Sequence, residues 1–144
     1  MAFDGEGARR AGGRWTSIGK RAVYTSSTIA LATLEMLAHL NSNILLPAYS
    51  LIEVQIPPQL VTSLAVSSLP SDWRDYPSPP SLLGIGDVWL EGQRSAVLRV
   101  PSVITVEDNY ILNPMHRDFA LINRGSPIAY PVDVRLLSSQ MGLK

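Results

Sequence analysis

The sequence predicts an α+β fold: a single domain, mostly antiparallel sheets with a few helices. Three observations carry that expectation. A strongly apolar helical run, Thr28 to Leu40, stands in the first third of the chain. The strand candidates of the second half follow one another too closely for βαβ crossovers, which need a dozen or more residues. No internal repeat, low-complexity tract or linker divides the 144 residues, a length that supports one sizeable core.

Taken in order, the opening FDGEGARRAGG reads as a glycine-rich loop. It fits neither GxGxxG nor GxxxxGK[ST], and no strand precedes it, so a Rossmann-type site fails on context. Next come a short strand carrying Arg14, a basic turn, and a second strand from Ala22 to Thr25 that closes near Tyr24. Ser27 is placed as the N-cap of the following helix, because a Ser oxygen can accept from the free amides of a first turn. Ile29, Leu31, Ala32, Leu34, Met36, Leu37 and Leu40 are too apolar for one wet face, so that helix is expected to be nearly buried. It nevertheless carries Glu35, and a buried carboxylate needs a cation, a hydrogen-bond donor or a task.

Asn41-Ser42-Asn43 is a polar stop. Tyr49 to Ile56 alternates as one strand, ended by Pro57-Pro58. A short helix is compatible with residues 59–68. LPSDWRDYPSPPSLLGIG is a long connection that packs over a site or crosses the surface. Ile85 to Glu91 suits a helix or a strand, and Gly92-Gln93-Arg94 a turn. Ala96 to Val106 contains the strand AVLRVPSVI, with Pro101 suggesting an edge or a bulge. Asp108 to Pro114 reads as a turn, a short strand and an Asn-Pro break; Phe119 to Ile122 and Ile128 to Leu137 are further strands. Trp15, Trp73 and Trp89 are read as packing anchors, and Asn109 and Asn113 as residues that fix turns.

Twelve basic residues balance twelve acidic ones, so no overall field draws in nucleic acid or a membrane surface. Residues 1–22 are locally cationic, with Arg9, Arg10, Arg14, Lys20 and Arg21 against Asp4 and Glu6, a patch that can receive a phosphate or lie solvated. The chain lacks cysteine, which excludes a disulfide scaffold and thiol chemistry and fits a reducing compartment. No apolar run approaches the roughly 18 residues of a membrane span. The start, MAFDGEGARR, lacks the apolar stretch of a secretory signal, so a cytoplasmic protein is expected.

Three groups stand out for chemistry: Arg14 after two glycines, Glu35 in the apolar helix, and Ser102 in VPSV. A Ser-His-Asp hydrolase is a poor match, since Ser102 lacks the GxSxG elbow and the available bases are His39 and His116. Glu35 and His39 share a helix face, but without HExxH or a histidine cluster no metal is expected.

GEGARRAGGRW, VYTSSTIALATLEMLAHL, LPSDWR, GDVWL, VPSV, DNYILNP-x-H and the PVDVRL tail, in that order, resemble the RES-domain toxins of bacterial type II toxin–antitoxin pairs. The likeness spans nearly the whole chain, residues 1–144. The family is named for an Arg, a Glu and a Ser, which match Arg14, Glu35 and Ser102. The chain departs from the pattern in having Thr16 after Trp15, where relatives commonly have Asn, and in starting almost at the GEGA segment, where many have a strand.

The resemblance implies an ADP-ribosyltransferase-like fold and an enzyme that consumes NAD as substrate, arresting growth. It implies an Xre-type helix-turn-helix antitoxin covering the active site, a homodimer within a hetero-oligomer, and DNA contact by the antitoxin rather than this chain, with no membrane partner. In that setting Glu35 is the carboxylate aimed at the ribosyl cation as nicotinamide leaves. Arg14 is the candidate for the pyrophosphate or a ribose, with a salt bridge to Glu35 as its structural alternative. Tyr24 offers a ring face to nicotinamide; Ser102 contacts a ribose hydroxyl or positions Glu35; Ser26 is a weaker candidate of the same kind. Two other readings stand beside this one: a transferase that places ADP-ribose on a protein target with the same residues, and a shortened, non-enzymatic domain that only binds its antitoxin.

Overall fold

The computed structural model describes residues 2–40 and 49–136. Asn41-Ser42-Asn43 and the far end of the strand expected over Ile128 to Leu137 lie outside those residues.

The FDGEGARRAGG segment forms a helix, α1 (Glu6–Ala11), where a loop was expected. Its six residues sit between Gly5 and Gly12, both at φ 71°, and composition alone hides so short a helix. Glu6 stands at the positive end and Arg9 and Arg10 at the negative end, each favoured by the helix dipole. Arg9 and Arg10 hydrogen-bond the Glu6 carboxylate and hold its pKa down at about 2. Arg21 adds an ion pair to it at 3.2 Å. Lys20 pairs with Glu91. Most of the basic patch is therefore internally paired, and Arg14 stands outside it: among the described residues it makes no ion pair.

Residues 12–22 contain no strand. Arg14 lies in a bend, and β1 (Val23–Ser26) runs one residue later than the expected second strand. The helix α2 (Ile29–Ala38) is capped by Thr28, not Ser27: the Thr28 side chain accepts from the Leu31 amide at 3.1 Å. This helix is not nearly buried. Only Leu31, Thr33 and Leu37 are buried, while Ile29 and Leu34 are exposed. The cause is position: α2 contacts the edge strand β1, and Thr33 Oγ1 meets Tyr130 Oη at 2.8 Å, leaving its remaining apolar surface uncovered.

Tyr49 to Ile56 divides into β2 (Tyr49–Leu51) and β3 (Val54–Gln55), which pair with different partners. The 59–68 region holds 3₁₀ turns at Pro58–Leu60 and Val66–Ser68 around a strand, β4 (Val61–Ser63). The prolines Pro79 and Pro80 then open α3 (Pro80–Gly92), which Gln93 ends in a left-handed conformation. After it come β5 (Val97–Pro101), β6 (Asp108–Leu112), a 3₁₀ turn at Phe119–Leu121 where a strand was expected, β7 (Asn123–Arg124) and β8 (Ile128–Tyr130).

The main sheet has the order β1-β6-β5-β4. Its β1–β6 and β5–β6 pairs are antiparallel, as are β2–β8 and β3–β7. The fold is α+β, as expected, with one exception to its antiparallel character. β4 and β5 are parallel, joined through α3, so the second half does contain a crossover. β5 is consequently internal rather than an edge. Pro101 is tolerated because pairing with β4 extends to Arg99 and stops before it.

Strand alternation divides the core. On one face Leu98, Val100 and Ile111 pack with Trp15, Trp73, Leu82, Trp89 and Leu90 under α3, so all three tryptophans are packing residues. On the other, Val97 and Leu112 pack with Leu60, Ala96 and Ile122. α3 approaches the Trp15 backbone closely at Gly86, where a Cβ would lie 1.7 Å from the Trp15 carbonyl oxygen. Gly86→Ala must therefore push α3 and the Trp15 backbone apart. It should lower the melting temperature by roughly 5–10 °C. An unchanged melt would show that the contact has slack.

Candidate functional site

β1, β6 and β5 lie side by side, so Ser26, Asn109 and Val100 share one face, with Tyr24, Ile111 and Leu98 beside them. Ser102 continues the same alternation just past β5 and is 2% exposed. Against this end of the sheet α2 lays Glu35. Its Oε1 accepts from Asn109 Nδ2 at 2.7 Å and from Ser102 Oγ at 3.2 Å. Asn109 Oδ1 in turn accepts from Ser26 Oγ at 2.8 Å. The Glu35 charge is thus met by two neutral donors, both on one oxygen, and among the described residues no cation pairs with it. His39 turns its Nδ1 to the Glu35 backbone carbonyl at 2.7 Å, not to the carboxylate.

The direction of these bonds is fixed by chemistry. Ser102 Oγ accepts from the Ile104 amide at 3.0 Å and the Thr105 amide at 3.3 Å. Amides only donate, so the single Ser102 proton goes to Glu35. These amides come from the turn that joins β5 to β6, which is therefore built around the Ser102 side chain.

Tyr24 stands two residues before Ser26, about 7 Å along β1 on the same face. Its phenol oxygen accepts from the Trp15 amide at 3.2 Å and meets Thr16 Oγ1 at 3.0 Å. Burial of that hydroxyl raises its pKa above the ordinary tyrosine value. The Gly13–Thr16 bend lies against the hydroxyl end of the ring; a Cβ on Gly13 would come 2.4 Å from the phenol oxygen. The bend carries Arg14, whose guanidinium donates to the Trp73 carbonyl at 3.2 Å and the Asp75 carbonyl at 3.0 Å, while the Arg14 carbonyl accepts from Ser78 Oγ at 2.7 Å. The proline-rich connection therefore packs on Arg14.

Of the residues singled out in sequence, Glu35, Ser102 and Ser26 are joined in one hydrogen-bond network. Tyr24 is beside it on the same strand. Arg14 lies on the same side of the sheet, next to Trp15, but reaches the 73–78 segment and forms no salt bridge with Glu35. Asn109, read as a turn residue, is instead the shortest contact of the Glu35 carboxylate. Nothing in its sequence neighbourhood signals this, because the β1–β6 register creates the contact. A groove of about 1380 Å³ runs along the opposite sheet face past Arg99 and Tyr110 and wraps the β1 edge at Tyr24, Ser26 and Thr28.

The RES domain family profile matches residues 1–133. A protein named "Toxin Res" from Photorhabdus laumondii is 38% identical over 96% of this chain and 90% of its own length. One from a Sphingobium strain, named "Prs ADP-ribosylating toxin", is 40% identical over 81% of this chain and 74% of its own. In fold, the chain is similar to a structure from the M. tuberculosis MbcT-MbcA toxin–antitoxin complex, with TM-score 0.66, 17% identity, and coverage of 98% of this chain and 81% of the other. The chain belongs to the RES domain family.

Tyr24→Phe removes the acceptor of the Trp15 amide and the partner of Thr16, both within buried residues. It should cost about 1–3 kcal/mol in urea unfolding. A stability equal to the parent protein would show that the bend holds without Tyr24.

Proposed function

We propose, from its membership of the RES family, that this chain cleaves the nicotinamide–ribose bond of NAD and acts as the growth-arresting toxin of a type II toxin–antitoxin pair. The observation that carries this is the state of Glu35. Its Oε1 is anchored twice, and among the described residues its Oε2 has no donor. A carboxylate so held is a fixed negative charge with one oxygen left for a ligand.

The C1′–N bond breaks with its electron pair leaving on nicotinamide, and positive charge develops on the ribose. Glu35 Oε2 meets that charge, which the ground state lacks, so the interaction lowers the barrier rather than only tightening binding. Water adds at C1′ and releases a proton. Arg14 supplies a permanent charge to the pyrophosphate; its two neutral hydrogen bonds leave that charge uncompensated. The half-exposed Tyr24 ring offers nicotinamide a stacking face worth about 0.5–2 kcal/mol. Ser26 lies at the groove edge within reach of a ribose hydroxyl. For Ser102, burial and a committed proton support positioning of Glu35 over ribose contact. NAD is the substrate, and the mechanism calls on no metal.

A second reading, transfer of ADP-ribose to a protein, is favoured by the name of the Sphingobium relative. It uses the same groups and differs only in the acceptor, which can also be inorganic phosphate. The partner in either case is an antitoxin of the Xre type, with this chain a homodimer in a cytoplasmic hetero-oligomer. Exposed Ile29 and Leu34 on α2, the helix that carries Glu35, suit coverage by such a partner.

Glu35→Gln should reduce nicotinamide release by roughly a hundredfold or more, with an unchanged melting temperature. Arg14→Ala should mainly weaken NAD affinity. Labelled NAD incubated with purified, antitoxin-free protein, with and without phosphate or cell extract, identifies the acceptor. Full activity of the Gln variant would defeat the assignment, and inertness of the parent protein toward NAD would favour the non-enzymatic reading.

A further inference from the structure

We infer that Asn109 is a positioning residue that fixes the Glu35 carboxylate and couples it to the Ser26 hydroxyl at the groove edge. The inference rests on the proposed NAD-cleaving role of Glu35 and assigns how that group is oriented.

Glu35 arrives from α2, a helix that covers only the edge of the sheet. A long side chain on such a helix keeps several rotamers unless something outside the helix selects one. Ser102 alone holds Oε1 at 3.2 Å, a long contact for a hydroxyl donor. Asn109 Nδ2 holds the same oxygen at 2.7 Å, the length of a charge-assisted bond. Two donors from separate segments, Asn109 on β6 and Ser102 just past β5, hold one oxygen and leave Oε2 without a donor among the described residues.

The amide of Asn109 is itself held. Its oxygen and nitrogen are told apart by their partners: Nδ2 must face the carboxylate, so Oδ1 must face Ser26, whose proton it receives at 2.8 Å. A flipped amide would set Oδ1 against Oε1, two acceptors with no proton between them. The network therefore runs one way, from Ser26 through Asn109 to Glu35. Ser26 Oγ, its proton spent on Asn109, can only accept from any further partner. A substrate hydroxyl donating to Ser26 would strengthen the Ser26–Asn109 bond and with it the hold on Glu35, since linked hydrogen bonds polarise one another. Pairing of Ser26 with Asn109 across β1 and β6 sets the geometry, so the device is built into the strand register.

Asn109→Asp tests this, because it keeps the shape and replaces the donor with an acceptor. Nicotinamide release by the parent protein is measured first. The variant should lose about a hundredfold in kcat, the scale of a displaced catalytic group, with KM for NAD changed less than about threefold and the melting temperature retained. Ser26→Ala should lose less in kcat, and adding it to Asn109→Asp should cost nothing more in kcat, because its effect on Glu35 passes through Asn109; loss of its own substrate contact falls on KM. If Asn109→Asp does not fold, Asn109→Ser, which leaves a hydroxyl too short to reach Oε1, must show the same loss in kcat at near-constant KM. A parent protein that releases nicotinamide and an Asn109 variant with kcat within about threefold of it overturns the positioning role alone. So does a loss confined to KM. A parent protein that releases none overturns the reading of Glu35, and this inference with it.

Discussion

Everything at the candidate site depends on a carboxylate that is neutralised by nobody. Glu35 sits against the sheet with hydrogen bonds from Ser102 and Asn109 and no ion pair among the described residues. An ion pair would have satisfied burial as well, but it would have cancelled the charge. Neutral donors satisfy the oxygen they touch and leave the charge in place. The arrangement reaches far in the chain: α2, the end of β5, the β5–β6 turn and the β1–β6 register all meet at one oxygen. The turn amides of Ile104 and Thr105 act on Glu35 through Ser102, although neither touches it.

Arg14 is the same device with the opposite sign. Its guanidinium rests on two peptide carbonyls, which are neutral acceptors, while the neighbouring cations of the N-terminal region are tied to carboxylates. A positive and a negative group thus lie on one side of the same sheet, each structurally satisfied and electrostatically open. Had they paired with one another, as the sequence allowed, the site would be a structural salt bridge. Their separation is maintained by Tyr24, whose hydroxyl pins the Arg14 bend at one end of β1, and by Ser26, whose hydroxyl anchors the Glu35 network at the other.

What could be read in the sequence follows from how local each signal is. The α2 run was legible because its apolar residues are dense, and β5 and β6 because theirs alternate. The helix α1 was lost in its own glycines. The helix α3 was legible only in part: Ile85 to Glu91 suited a helix or a strand, while the flanking prolines and Gly84 and Gly86, whose absence of side chains thins the apolar pattern, hid its first turns and with them the βαβ crossover. Burial of α2 was overestimated because apolar composition does not say whether a helix faces a core or a sheet edge. Thr28 and Ser27 are equivalent caps by residue type, and only backbone geometry chooses between them. Glu35 and Ser102 could be singled out, but their contact could not be read from spacing, since 67 positions separate the pair. Asn109 was misread for a related reason: Asp-Asn is turn chemistry in isolation, and only pairing with β1 makes it strand.

Register is therefore where function enters this fold. Along β1 the side chains of Tyr24 and Ser26 emerge one two-residue repeat apart, about 7 Å. That repeat separates the residue that holds the Arg14 bend from the residue that joins the Glu35 network. A slip of one residue between β1 and β6 would turn Tyr24 and Ser26 to the opposite face and part both groups from their partners. The pairing of Val23 with Leu112 and of Tyr24 with Ile111 sets this register, and a slip would take partly buried Val23 away from the cluster around Leu112. The hydrophobic core of the sheet thereby fixes the distance between two charges that never touch, and this is how packing far from the carboxylate governs what the carboxylate can do.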